Sequence, residues 1–91
     1  MRVPDKLMTV PNSSDTVVLL DYMGGPDVFA NLFRVTEDGA EVWRATPPGS
    51  GPNSWTKARI EGDEVVAYSW SGFTVRLDLA TGAERDRVYT K

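Results

Sequence analysis

The sequence predicts an all-β domain: an antiparallel meander of about seven or eight short strands, in two four-stranded repeats. Three observations carry that expectation. Short runs alternate between apolar and polar residues, as in 64–70 and 73–79. Turn pairs punctuate these runs, among them Asp38-Gly39, Gly62-Asp63, Ser71-Gly72 and Thr81-Gly82. No stretch repeats its apolar residues with the period of a helix.

Taken in order, residues 1–5 read as a short arm and 6–10 as an edge strand that Pro11 stops. Asn12-Ser13-Ser14-Asp15 is a turn cluster. Residues 16–22 form a strand, since Thr and Val favour the extended state, and Val17-Val18-Leu19-Leu20 implies burial on both faces. Gly24-Gly25-Pro26-Asp27 breaks regular structure, and Val28-Phe29-Ala30 leads into the next strand or packs as a plug. Residues 31–36 and 41–46 make a hairpin about Asp38-Gly39, with Trp43 on the returning strand. The Pro/Gly loop 47–54 divides the chain, because proline lacks the ladder donor. Residues 55–60 follow as a strand. Residues 64–70 and 73–79 form a hairpin with a two-residue connection at Ser71-Gly72, and 83–90 is a charged last strand.

A chain of 91 residues makes one domain with a small core. It has no cysteine and no histidine. That excludes disulfides, thiolate nucleophiles, Cys-based zinc sites and the Ser-His-Asp arrangement. The net charge of −3 is interspersed along the chain, which argues against a nucleic-acid partner. No leader pattern opens the sequence, and Val17-Val18-Leu19-Leu20 is too short to cross a bilayer. A cytoplasmic protein with no membrane partner is the expectation.

The two halves, about 15–46 and 55–90, align with each other. Asp15–Tyr22 lies over Asp63–Trp70, an offset of 63 − 15 = 48. Phe33-Arg34-Val35 lies over Val75-Arg76-Leu77, an offset of 75 − 33 = 42, and each precedes a glycine turn. Residues 75–82 (Val-Arg-Leu-Asp-Leu-Ala-Thr-Gly) and 32–44 resemble blade motifs of the quinoprotein-type (PQQ-like) β-propellers. There a strand ends in a short Asp/Thr-Gly turn and the next strand often carries a tryptophan. Trp43 fits that pattern. After Gly82 the nearest aromatic is Tyr89. The resemblance implies about two blades over 15–90. It implies no quinone cofactor, since two blades supply neither the ring nor its central site. The chain also resembles a group of small uncharacterised bacterial proteins of this length. Two blades leave open edges. The halves therefore pack as a small sandwich or barrel, or copies assemble into an oligomer.

Nine aromatic residues are expected to form most of the core, with Trp55 as the exception. It follows the Pro/Gly loop, so it is a candidate for stacking on a ligand or anchoring a partner. Arg34 and Arg76 occupy equivalent positions and are candidate interaction residues, paired with acids such as Glu41 or Asp78. Asp15, Asp38 and Asp63 lie at turns and read as caps. Asp21 and Asp78 lie inside strands, where a solvated ladder or an ion pair is expected for Asp78. No catalytic residue, metal ligand or cofactor site is assigned. The reading placed first is a non-enzymatic interaction or binding module, its partner another protein or a second copy. The alternative is a small cytoplasmic inhibitor or immunity-type protein. A carboxylate-dependent enzyme comes third and requires Asp21 and Asp78 to share a cleft.

Overall fold

The computed structural model describes residues 4–20, 28–49 and 53–89. Among them are nine strands and no helix: β1 (Pro4–Thr9), β2 (Thr16–Leu20), β3 (Val28–Phe29), β4 (Leu32–Val35), β5 (Glu41–Ala45), β6 (Asn53–Glu61), β7 (Glu64–Ser69), β8 (Phe73–Asp78) and β9 (Glu84–Tyr89). The first sheet runs β1-β2-β4-β5 and the second β6-β7-β8-β9, each wholly antiparallel. The two-residue β3 adds to the second sheet, parallel to Asn53 and Ser54 of β6. The antiparallel meanders are those the alternation predicts; of the packings left open, they take the small sandwich, and the described residues close no barrel.

Register decides which residues meet. Across the first sheet, Met8, Val17, Arg34 and Trp43 form one inward row, and Lys6, Leu19, Leu32 and Ala45 the next. In the second sheet Ala58, Ala67 and Val75 are opposite one another, as are Ile60, Val65 and Leu77. The apolar members of these rows make one core, with Val17, Leu32, Trp55, Val65, Ala67 and Val75 wholly excluded from solvent, while Lys6 at the margin is exposed. Each buried aliphatic side chain contributes roughly 1.5–3 kcal/mol against the entropy of ordering the chain. Val65 and Ala67 face the core, while Tyr68 lies on the outer face. The expectation that aromatics form most of the core is corrected. Among the described aromatics, Trp43 and Trp55 are buried, whereas Trp70 and Tyr89 are 55% and 62% exposed.

Several boundaries also move. Asn53 and Ser54, expected in the loop, begin β6, because β3 supplies a parallel partner for them. The Ser71-Gly72 turn is a three-residue connection, Trp70 to Gly72, in which the Ser69 carbonyl accepts from the Gly72 amide. Residues 21 and 22, expected to extend the second strand, lie outside the described residues, as do Gly24-Gly25-Pro26-Asp27.

Gly82 ties the sheets together. Its φ of +76° belongs to the left-handed region, and a Cβ there would lie 2.7 Å from two atoms of the Trp43 indole. Trp43 Nε1 donates to the Leu79 carbonyl at 2.9 Å in the same turn. A Gly82→Ala variant is therefore strained in backbone and packing together. We expect a loss of about 2–4 kcal/mol in urea unfolding, with a changed near-ultraviolet circular dichroism from the displaced indole. A loss below about 0.5 kcal/mol would show that the turn yields without disturbing Trp43.

Candidate functional site

Trp55 sits at the start of β6, where the strand crosses beneath the first sheet. It is wholly buried. Its Nε1 donates to the Ala45 carbonyl at 2.8 Å, and its amide donates to Asn31 Oδ1 at 2.7 Å. A surface role for Trp55 is thus overturned: the chain turns inward after the Pro/Gly loop instead of remaining on the surface. Asn31, to which the sequence assigns no role, holds it there. Asn31 is wholly buried, and its Nδ2 donates to the carbonyls of Leu20 at 2.9 Å and Trp55 at 2.7 Å. One amide side chain thereby supplies the ladder groups that link the sheets.

Arg34 is also structural. Its side chain is 14% exposed and pairs with Asp15 at 2.8 Å. Its Nη1 donates to the Leu79 carbonyl, which also accepts from Trp43. Arg76 pairs with Glu64 at 3.0 Å and Glu61 at 3.5 Å on the outer face of the second sheet. Arg76 thus meets an acid of the neighbouring strand β7, as expected, though it is Glu64 and not Asp78, and Arg34 takes Asp15 and not Glu41. Arg34 faces the core, away from Glu41, and Glu41 pairs with Arg44. Asp78 is taken by Arg85 at 2.6 Å.

Several of the described carboxylates are committed to similar tasks. Asp78 Oδ1 accepts from the amides of Ala80 and Thr81, so this strand residue caps the turn that follows it. Arg85 gathers Asp63, Glu64 and Asp78. Its hydrogen bonds hold the carboxyls of Asp63 and Asp78 below their ordinary 3.8. Asp38 is lowered likewise by the Thr36 hydroxyl, and Glu61 by Arg59. Such groups are ionised and paired, the reverse of what a general acid requires. Asp21 lies outside the described residues. No group of three or more metal-ligating side chains occurs among the described residues.

These shifts set a pH dependence. A carboxylate whose pKa falls on folding stabilises the fold above its unfolded pKa, and that stability is lost as pH falls through the folded value. Urea midpoints should be level between pH 5 and 8, since the chain has no histidine. They should fall below about pH 4. A midpoint unchanged down to pH 2 would show that these surface pairs do not distinguish the folded from the unfolded chain.

The outer side of β6 is different in kind. β3 pairs with Asn53 and Ser54 alone, so among the described residues no strand flanks 56–61 on that side. Beside this edge lies an open groove of about 630 Å³, lined by Lys6, Thr56, Lys57, Ala58, Arg59 and Tyr68. Its polar groups are mainly basic, in a chain of net charge −3. Every described arginine has a carboxylate partner: Asp15 for Arg34, Glu41 for Arg44, Glu61 for Arg59, Glu64 for Arg76, Asp78 for Arg85 and Glu84 for Arg87. Among the described residues no carboxylate pairs with Lys6 or Lys57, and both line this groove. Lys6 Nζ instead donates to the Ala58 carbonyl on the open edge, at 2.9 Å. The sequence signal for this site is weak: two isolated lysines, 51 positions apart (57 − 6 = 51), on strands of different sheets that line one groove.

The opposite edge strand, β9, is exposed along its whole length. Arg87 lies across from Val75 on the core side of the sheet. A charge pointing inward on an edge strand discourages pairing with another chain.

No curated protein and no solved structure matches the chain. A family model described as a domain of unknown function (DUF7957) matches residues 4–89, which takes in both sheets and the groove. The chain belongs to that family.

Proposed function

We propose that this domain is a non-enzymatic protein-interaction module that receives a segment of its partner along the outer edge of β6. One observation carries this reading: 56–61 is a strand edge with no neighbour among the described residues, opening on a basic groove. An open edge offers main-chain donors and acceptors for strand addition, and the groove offers space for the added side chains. Glu64 and Asp78 support it indirectly, being engaged in ion pairs and a turn cap away from the groove.

A second copy of the chain is disfavoured as the occupant in the register centred on Ala58. Antiparallel pairing of two β6 edges about Ala58 would set Lys57 of one against Arg59 of the other, and directly opposed like charges destabilise a sheet. The test is selection from a displayed library of random peptides, with the binding site mapped by amide chemical shifts. Binders that perturb the amides of 56–61 are expected. Binders that all map elsewhere, or a library that yields none, would sink this reading.

A further inference from the structure

We propose that the segment received by β6 is an extended acidic peptide with carboxylates at alternate positions, which displaces Lys6 from the Ala58 carbonyl. This rests on the reading of β6 as a docking edge and adds the chemistry of what docks.

The argument begins with the turn. Gly62-Asp63 joins β6 to β7 with Glu61 opposite Glu64, and Gly62 has a φ of +58°. A two-residue hairpin closed this way, with glycine first, makes its flanking residues a hydrogen-bonded pair. Hydrogen-bonded and non-hydrogen-bonded pairs alternate from there. Arg59 opposite Val66 and Lys57 opposite Tyr68 are therefore bonded to β7. Ala58, which lines the groove, and Ile60 direct their amides and carbonyls away from β7, to the open side of β6. The Lys6 bond to the Ala58 carbonyl agrees with that direction.

Side chains alternate the other way. Lys57 and Arg59 are exposed on the outer face, whereas Ala58 belongs to the core and Ile60 packs against it. A strand added to this edge places two residues, separated by one, beside Lys57 and Arg59. The residue between them lies at the margin of the core beside Ala58. Carboxylates at the two outer positions meet Lys57, which has no carboxylate partner among the described residues, and Arg59, which holds Glu61 at 2.5 Å. A small apolar residue suits the position between. When a ligand amide takes the Ala58 carbonyl, the Lys6 ammonium is released beside the ligand and can meet a further carboxylate. The lysine thus covers an exposed edge in the unbound protein and adds charge attraction to the bound state.

The probes are three end-capped peptides of alternating residues, Glu-Val, Lys-Val and Thr-Val. Each is titrated into the full chain, and amide shifts and hydrogen exchange are followed at Ala58 and Ile60. Glu-Val is expected to bind most tightly and to slow exchange at both amides. Lys57→Glu, an exposed substitution, should weaken it about tenfold or more while leaving the thermal melt in place. If Thr-Val or Lys-Val binds as tightly as Glu-Val at these amides, the acidic ligand is refuted and the docking edge stands. If no peptide slows Ala58 and Ile60, or if these amides are already protected in the unbound protein, the docking edge itself fails.

Discussion

Replacing Trp55 by alanine is expected to remove about 3–5 kcal/mol of stability. A chain of 91 residues has about 5–14 kcal/mol in total, so the variant is unfolded or close to it. Two losses combine. The indole is wholly buried, so its removal leaves a large cavity beneath both sheets. The Ala45 carbonyl also loses its donor. Trp55→Phe separates the two, since it keeps most of the apolar area and abandons the carbonyl; about 1–3 kcal/mol is expected. Tyr89→Ala is the contrast. Tyr89 is 62% exposed and meets Phe73 edge to face at 5.3 Å, an arrangement contributing about 1 kcal/mol. Urea unfolding followed by circular dichroism measures all three. A Trp55→Ala loss no larger than that of Tyr89→Ala would show that the sheets are not held at this residue.

Asn31→Asp is the second large effect, although the two side chains are nearly the same size. Asn31 Nδ2 donates to two carbonyls, those of Leu20 and Trp55, and the residue is wholly buried. An ionised carboxylate there would face both carbonyls with no proton to give. We expect a loss of about 3 kcal/mol or more at neutral pH. The sign of the pH dependence is diagnostic. Burial and the two carbonyls favour the protonated acid, so the introduced carboxyl has a raised pKa in the folded state. Its unfolded value is about 3.9. The contribution of this group is then most favourable below that value and declines as pH rises from it to the raised folded value, opposite in sign to the contribution of the parent's paired carboxylates. The gap between the variant and the parent should therefore narrow below about pH 4. A gap that is constant with pH would mean that the donated hydrogen bonds of Asn31 are not what matters.

Much of the fold was legible without coordinates. The hairpin at Asp38-Gly39, the turns at Gly62-Asp63 and Thr81-Gly82, and the period-two runs of β7 and β8 are local signals. The backbone that they require depends on few residues close in sequence. Hence the strands lie near their expected places, within a residue or two at most ends. Where the expectation failed, the deciding partner was distant. Asn53 and Ser54 became strand because β3 lies beside them, 25 residues earlier (53 − 28 = 25). The alternation in β7 showed two faces but not which of them turns inward. The face of Val65 and Ala67 won, because the small side chains allow the sheets to approach.

The candidate site was less legible for the same reason. The loop before Trp55 points to a surface role, yet the residues that hold it inside are distant: Asn31 in the link between β3 and β4, and Ala45 in the other sheet. Arg34 and Arg76 are equivalent by sequence, but one points into the core to Asp15 and the other out to Glu64. Lys6 and Lys57 had no motif to draw attention to them. Alternation and turn chemistry, which act within a few residues, determined from the sequence alone that this is a meander of short antiparallel strands in two four-stranded groups. Which faces meet, which edge is left open and which charges share a groove depend on contacts between residues far apart in the chain. Only the packing of one sheet on the other decided these.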